Sequence, residues 1–222
     1  MSAEEDTRRL SAAALAEGDA TGWFEKLYTE AENGTAEVPW DRDQPTAMLV
    51  EWAGRIGLTG EGRTALVVGC GLGRDAEFVA GLGFATTAFD IAETAVRVAR
   101  ERHPGSPVDY RVADLLDPPA EWRHGFDLVV ESNNVQALPR TLRARAIAGV
   151  GALVAPGGTL LVLSAAASEY DGEGPPWPLS RAEIEAFATG GLRGTSLEEV
   201  PAPDDPLFRR WRATFERPRG RA

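Results

Sequence analysis

The chain has 222 residues, a length that supports one well-buried core and falls short of two independent domains. Its 34 Asp and Glu against 23 Lys and Arg leave a net charge of −11, so the basic footprint that nucleic-acid binding requires is missing and an anionic membrane surface is disfavoured. No stretch approaches the ~20 apolar residues of a membrane span, and the acidic start Met1-Ser-Ala-Glu-Glu-Asp6 does not read as a secretory leader.

Residues 1–20 are polar and Ala-rich and read as a loose or helical arm. Residues 21–62 carry Trp23, Phe24, Leu27 and Tyr28, then Leu49, Val50, Trp52 and Ile56, at helical spacing. This predicts two helices joined by a turn-rich stretch over 33–45 that holds Gly34, Pro39 and Pro45. From Thr64 onward, apolar strands at 65–69, 84–90, 108–112, 126–131 and 158–164 alternate with helices that run to about 82, over 93–102 and over 138–154. Continuous apolar strands between helices imply a parallel sheet covered on both faces. A helical turn at 184–187 and strands at 192–200 and 207–216 would close one sheet edge as an antiparallel pair. The expected architecture is a doubly wound α/β sheet of about seven strands, mostly parallel, with helices on both faces and an N-terminal helical cover. Its parts are an arm (1–20), one domain (21–216: cover 21–62, core 63–216) and a tail (217–222).

The first strand runs into Gly69-Cys70-Gly71-Leu72-Gly73, and a helix follows. Alternate glycines let the backbone pass close to a ligand, and the helix start presents free N–H groups. A nicotinamide fingerprint needs glycine where Arg74 stands, so the loop suits a nucleoside without a pyrophosphate. Asp90 ends the second strand, 21 residues after Gly69, where a carboxylate accepts both ribose hydroxyls. Asp114 follows the third strand and can accept from an adenine amino group; Glu131 ends the fourth on the same rim. Helix capping is the competing role for Asp90 and Asp114, and Asp117 is a nearby alternative to the latter. Cys70, the sole cysteine, excludes an intrachain disulfide, suits a reducing cytoplasmic compartment and reads as a small buried residue. His103 and His124 read as turn residues, and no metal-ligand set is expected.

With these residues the chain resembles the class I S-adenosylmethionine-dependent methyltransferases, and within them the thiopurine methyltransferase family with its halide and thiol methyltransferases. The resemblance runs from about Trp23 to Glu216. It rests on Pro39-Trp40-Asp41, Gly69-Cys-Gly-Leu-Gly-Arg-Asp75, Asp90, Val135-Gln-Ala-Leu-Pro139 and Gly174-Pro-Pro-Trp-Pro-Leu-Ser180. It implies a Rossmann-like fold with S-adenosyl-L-methionine as cofactor. The positions it implies for cofactor contact are Trp23, Trp40, Gly69, Gly71, Gly73, Asp90 with Ile91, and Asp114 with Leu115. Core packing is the alternative role for Trp23. Leu27 stands where the family often has a second Trp, and Ser132-Asn133-Asn134 replaces an aromatic-rich segment on the acceptor side.

Methyl transfer from a sulfonium is an in-line displacement that rewards positioning and exclusion of water, and it needs a base only for a protonated nucleophile. Asp41 and Glu131 are carboxylates that could serve, each with an equally good structural role, so the catalytic residue is unknown. The acceptor is expected to be a small molecule under the N-terminal cover, because residues 1–60 carry 12 acidic against 5 basic side chains together with an aromatic lining. Asn134 and Trp177, the latter within the Gly- and Pro-rich residues 165–180, are the expected acceptor contacts. A monomer or homodimer is expected. The competing functions are a nicotinamide-dependent reductase, opposed by Arg74 and by Lys26 being the only lysine, and a non-catalytic nucleoside-binding protein.

Overall fold

The computed structural model describes residues 2–167, 174–202 and 208–220. Met1, the expected strand start at 207, part of the 165–180 stretch (168–173) and the tail end 221–222 lie outside these residues. Seven strands form one sheet: β1 (Thr64–Val68), β2 (Ala85–Asp90), β3 (Asp109–Val112), β4 (Phe126–Ser132), β5 (Val154–Ala165), β6 (Arg193–Pro201) and β7 (Arg209–Glu216). The spatial order is β3-β2-β1-β4-β5-β7-β6. The first five strands are parallel, and β7 runs antiparallel to both β5 and β6. The helices are α1 (Ala3–Ala16), α2 (Gly22–Glu32), α3 (Ala47–Ile56), α4 (Arg74–Gly81), α5 (Glu93–Arg102), α6 (Arg140–Leu153) and the short α7 (Arg181–Glu185).

Two-sided burial explains why the central strands are apolar throughout. Leu66, Val68, Val129, Leu160 and Val162 face α6 and α7 through Ile147, Val150 and Ile184. Ala65, Val67, Val130, Leu161 and Leu163 face α3, α4 and α5 through Trp52, Val79 and Val96. The chain turns from one side of β1 to the other, so the crevice between the carboxyl ends of β1 and β4 is the topological switch point where such sheets bind ligands.

Several boundaries differ from expectation, among them α7, which spans Arg181–Glu185 and not 184–187. The helix expected over 138–154 spans Arg140–Leu153, because Pro139 stands at its N-cap with an extended backbone, and Val135–Ala137 form a separate 3-10 turn. The fifth strand begins at Val154, four residues before the expected start at 158, and its register with β4 shifts between the Phe126–Val154 and Leu128–Thr159 pairs.

The expected arm is an ordered helix. Ser2 and Glu5 form a capping box, and Leu10 and Ala14 of α1 pack on Trp23 and Leu27 of α2. This cover is tied to the core by polar contacts. Glu25 accepts from the Thr94 amide (3.0 Å) and hydroxyl (2.5 Å) at the start of α5. Arg97 pairs with Glu32, and Arg102 grips Asp41 bidentately at 2.7 and 2.9 Å. Asp75 of α4 accepts from the amide and hydroxyl of Thr46, at 2.7 and 2.9 Å, where α3 begins.

Candidate functional site

The glycine loop leaves β1 with Gly69, Gly71 and Gly73 all at positive φ (54°, 51° and 92°), conformations that side chains with a Cβ rarely adopt. Space is as restrictive as torsion. A Cβ on Gly69 would lie 1.7 Å from Asn134 Oδ1, and one on Gly73 would lie 2.4 Å from Tyr110 Oη. Above Gly71 stand Tyr28 Oη and Trp40 Cδ1, 3.0 and 3.6 Å from where a Cβ would sit. No side chain caps the N-terminus of α4, so its first amides face the rim.

Asp90 is buried at the end of β2. Its Oδ2 accepts from the Gly71 amide (2.9 Å) and its Oδ1 from the Ala92 amide (3.0 Å). Burial pushes this carboxyl up, and the backbone donors pull it back. Each oxygen keeps a lone pair for a further donor, which fits hydroxyl groups of a nucleoside. Asp90 does not cap α5, whose Thr94 amide is taken by Glu25. Ile91 is half-buried beside it. Asp114 is half-buried and accepts from the Leu116 amide at 2.8 Å, as an Asx turn. Leu115 is buried in the core, with its carbonyl packed against Gly149 of α6.

Glu131 is fully buried at the end of β4. Its Oε1 accepts from the Asn134 and Val135 amides at 2.7 and 3.0 Å, while among the described residues Oε2 has no partner. Burial pushes this carboxyl up to about 7 against the pull of those amides. Asn134 spends its amide group on the carbonyls of Val68 (2.8 Å) and Ser132 (3.1 Å), bridging the carboxyl ends of β1 and β4. Trp177 is half-buried; its amide donates to the Gln136 carbonyl at 2.8 Å, its own carbonyl accepts from Arg143, and its ring lies over Gly174.

Of the two tryptophans expected at the cofactor, Trp40 stands over Gly71. Trp23 is buried one ring back, stacked on Phe24 (3.9 Å between centroids) and edge-on to Trp40 (6.2 Å). Sequence reasoning missed Tyr28, whose buried hydroxyl accepts from Trp40 Nε1 at 2.7 Å. Burial, reinforced by the Asp90 charge, holds this phenol well above its usual range, so it remains a donor. Its phenolic proton has no acceptor among the described residues, and the signal for it was a polar-tipped ring on an otherwise apolar helix face. The network of Arg143, Glu183, Gln136 and Ser164 that seats the Trp177 segment was also missed.

Residues 65–158 match the family described as "Methyltransferase domain". The "Ubiquinone biosynthesis O-methyltransferase" of Xanthomonas campestris pv. campestris (strain B100) is 36% identical over 133 residues, which cover 55% of this chain and 54% of that protein. The protein of the same name from Xanthomonas oryzae pv. oryzae (strain PXO99A) is 34% identical over 154 residues, 64% of this chain and 62% of its own length. The chain thus spans little more than half the length of the curated relatives it matches. Among solved structures, Burkholderia thailandensis 1,6-didemethyltoxoflavin-N1-methyltransferase with bound S-adenosylhomocysteine superposes with a TM-score of 0.66 at 16% identity, covering 93% of this chain and 88% of that one. The [4+2]-cyclase SpnF superposes with a TM-score of 0.69 at 19% identity, covering 90% and 95%.

The sheet order and the glycine loop are those of a Rossmann-like methyltransferase fold, and residues 65–158 match a methyltransferase domain. The cradle over Gly69–Gly73, the exposed amides of α4 and the buried carboxylates fit the cofactor of that class, S-adenosyl-L-methionine. Among the described residues no His, Cys, Asp and Glu cluster has the makings of a metal site, and no helix is long and apolar enough to cross a membrane.

Proposed function

We propose that the protein transfers a methyl group from S-adenosyl-L-methionine to a small-molecule nucleophile held beneath the α1–α2 cover. The observation that carries this reading is the roofing of Gly71 by Tyr28 and Trp40, directly beside the Asp90 carboxylate. Aromatic roof, glycine floor and acidic wall together would suit a small cationic ligand.

When bound, the cofactor supplies an electrophilic methyl on a sulfonium. Gly69, Gly71, Gly73, Asp90, Ile91 and Asp114 would hold its nucleoside, Trp40 would cover it, and Asn134 and Trp177 would border the acceptor. The rings of Trp23, Phe24 and Tyr28, each within 6.4 Å of that of Trp40, would exclude water from the transfer. A thiol, halide, thiopurine or natural product is the acceptor class that the family resemblance implies, and the relatives named for O-methylation add phenols to it.

Because a cyclase shares the fold, binding alone is an insufficient test. Calorimetry with S-adenosylhomocysteine and with NADH separates the cofactor classes. Release of S-adenosylhomocysteine during turnover with a panel of thiols, halides, phenols and amines then separates enzyme from binder. Efficient methylation of a protein or nucleic acid, with no turnover on any small acceptor, overturns the proposal.

A further inference from the structure

Glu131 occupies the switch-point crevice, opposite Val68, the last β1 residue before the glycine loop. Among the described residues it is an acid buried without a countercharge. Around it β1 contributes Val68, β5 contributes Val162, and the 3-10 turn contributes the Asn134 and Val135 amides. From α6, Arg143 is spent on Glu183 and the Trp177 carbonyl. From β7, Arg210 reaches Asn133. Asp90, two strands away, is the other buried carboxyl on the rim. Among the described residues no charged group offsets or adds to the burial of Glu131, and Oε2 has no donor.

A buried carboxylate without a cation is costly, so the free protein keeps such a group largely as the neutral acid. A structural acceptor for two amides needs only Oε1, and a glutamine would serve as well. What an ionisable group adds here is negative charge on demand.

We propose that Glu131 discriminates by charge between the methyl donor and its demethylated product: its carboxyl ionises when a sulfonium cation arrives and favours that cation over the neutral thioether. This rests on the reading of the rim as an S-adenosylmethionine site. The proton lost on ionisation goes to solvent, and after transfer, when the sulfur is neutral, the carboxyl takes a proton back. Product is thereby held less tightly than donor.

The test is calorimetry of S-adenosylmethionine and S-adenosylhomocysteine binding at pH about 6.5, in buffers of different ionisation enthalpy, for the parent protein and Glu131→Gln. The parent is expected to release more proton with the sulfonium than with the thioether, and the variant to release equal amounts. The preference for the sulfonium is expected to fall at least about tenfold in the variant, well within the roughly thousandfold that a unit-charge pair about 4 Å apart is worth at an effective dielectric near 20. Equal proton release by the parent, or an unchanged preference in a folded variant, overturns the proposal. If Glu131→Gln does not fold, the parent decides alone. Its preference for the sulfonium must then rise between pH about 5.5 and 7, and a flat ratio overturns the proposal. Binding of both ligands with equal proton counts removes this inference only, whereas binding of neither removes the cofactor reading and this one with it.

Discussion

Trp40 and Tyr28 are joined by a hydrogen bond of 2.7 Å from indole Nε1 to the phenolic oxygen, and the pair stands directly over Gly71. The bond spans the turn-rich stretch after α2, so it converts a loop into a roof. Arg102 holds the neighbouring Asp41 on α5, which fixes that roof from its outer side. Tyr28→Phe is expected to shift the Trp40 emission and to weaken S-adenosylhomocysteine binding by about five- to tenfold, one hydrogen bond's worth. Trp40→Ala is expected to abolish the ligand-induced fluorescence change. If both variants bind as the parent does, the aromatic pair only packs.

Asp90→Ala removes the acceptor of the Gly71 amide as well as the proposed ribose contact. A loss of at least about tenfold in affinity is expected, measured by calorimetry on a variant that retains its circular dichroism. Unchanged affinity means that the nucleoside lies elsewhere.

Gly69 and Asn134 occupy each other's space, with 1.7 Å between a would-be Cβ and Oδ1. Gly69→Ala is therefore expected to cost about 2 kcal/mol or more, from steric overlap added to the strain of a φ of 54°. Adding Asn134→Gly should recover the steric part and leave the torsional part. Urea denaturation of the four proteins of this cycle measures the coupling, and strict additivity would contradict the contact.

The sheet was legible because its strands are uninterrupted apolar runs: Ala65–Val68 and Leu160–Leu163 have no other stable home than a doubly covered parallel sheet. The rim was legible because glycines and carboxylates fall at strand ends, where Asp90 and Glu131 indeed stand. What pattern could not give was the choice between neighbours. Trp23 and Trp40 are equally apolar, and only the fold shows that α1 buries the first while the second is left at the loop. The same limit hid Tyr28, whose helical spacing reports burial and is silent about its hydroxyl. Arg143 was invisible because its partners, Trp177 and Glu183, are 34 and 40 residues away.

Glu131 also marks the pH dependence of folding. Its folded-state value of about 7 lies above the usual carboxylate value of 4.5, so its contribution favours the folded protein at low pH and is lost as pH rises through about 7. The full swing is on the order of 3 kcal/mol, an upper figure for a shift of this size. The difference in stability between the parent and Glu131→Gln, taken from urea midpoints at pH about 4.5 and 7.5, should therefore move against the parent at the higher pH. A difference that stays constant with pH contradicts a buried neutral acid.

Arg143 is a buried cation that seats the Trp177 segment. It donates to Glu183 and to the Trp177 carbonyl, and Glu183 in turn closes a capping box with Ser180 at the start of α7. Gln136 completes the seat, taking the Ser164 hydroxyl and the Ala165 amide on its side-chain oxygen and the Trp177 amide on its carbonyl. Arg143→Met keeps the volume and removes the donors, leaving Glu183 without its cation. Breaking such a pair typically costs ~3–5 kcal/mol when fully buried, and less here because the glutamate side chain keeps 30% exposure. The double variant Arg143→Met, Glu183→Gln should regain part of that loss. Because the segment borders the proposed acceptor and not the glycine loop, KM for the acceptor should rise in Arg143→Met while the affinity for S-adenosylhomocysteine holds. A parallel loss of both would place Trp177 and its neighbours on the cofactor side instead.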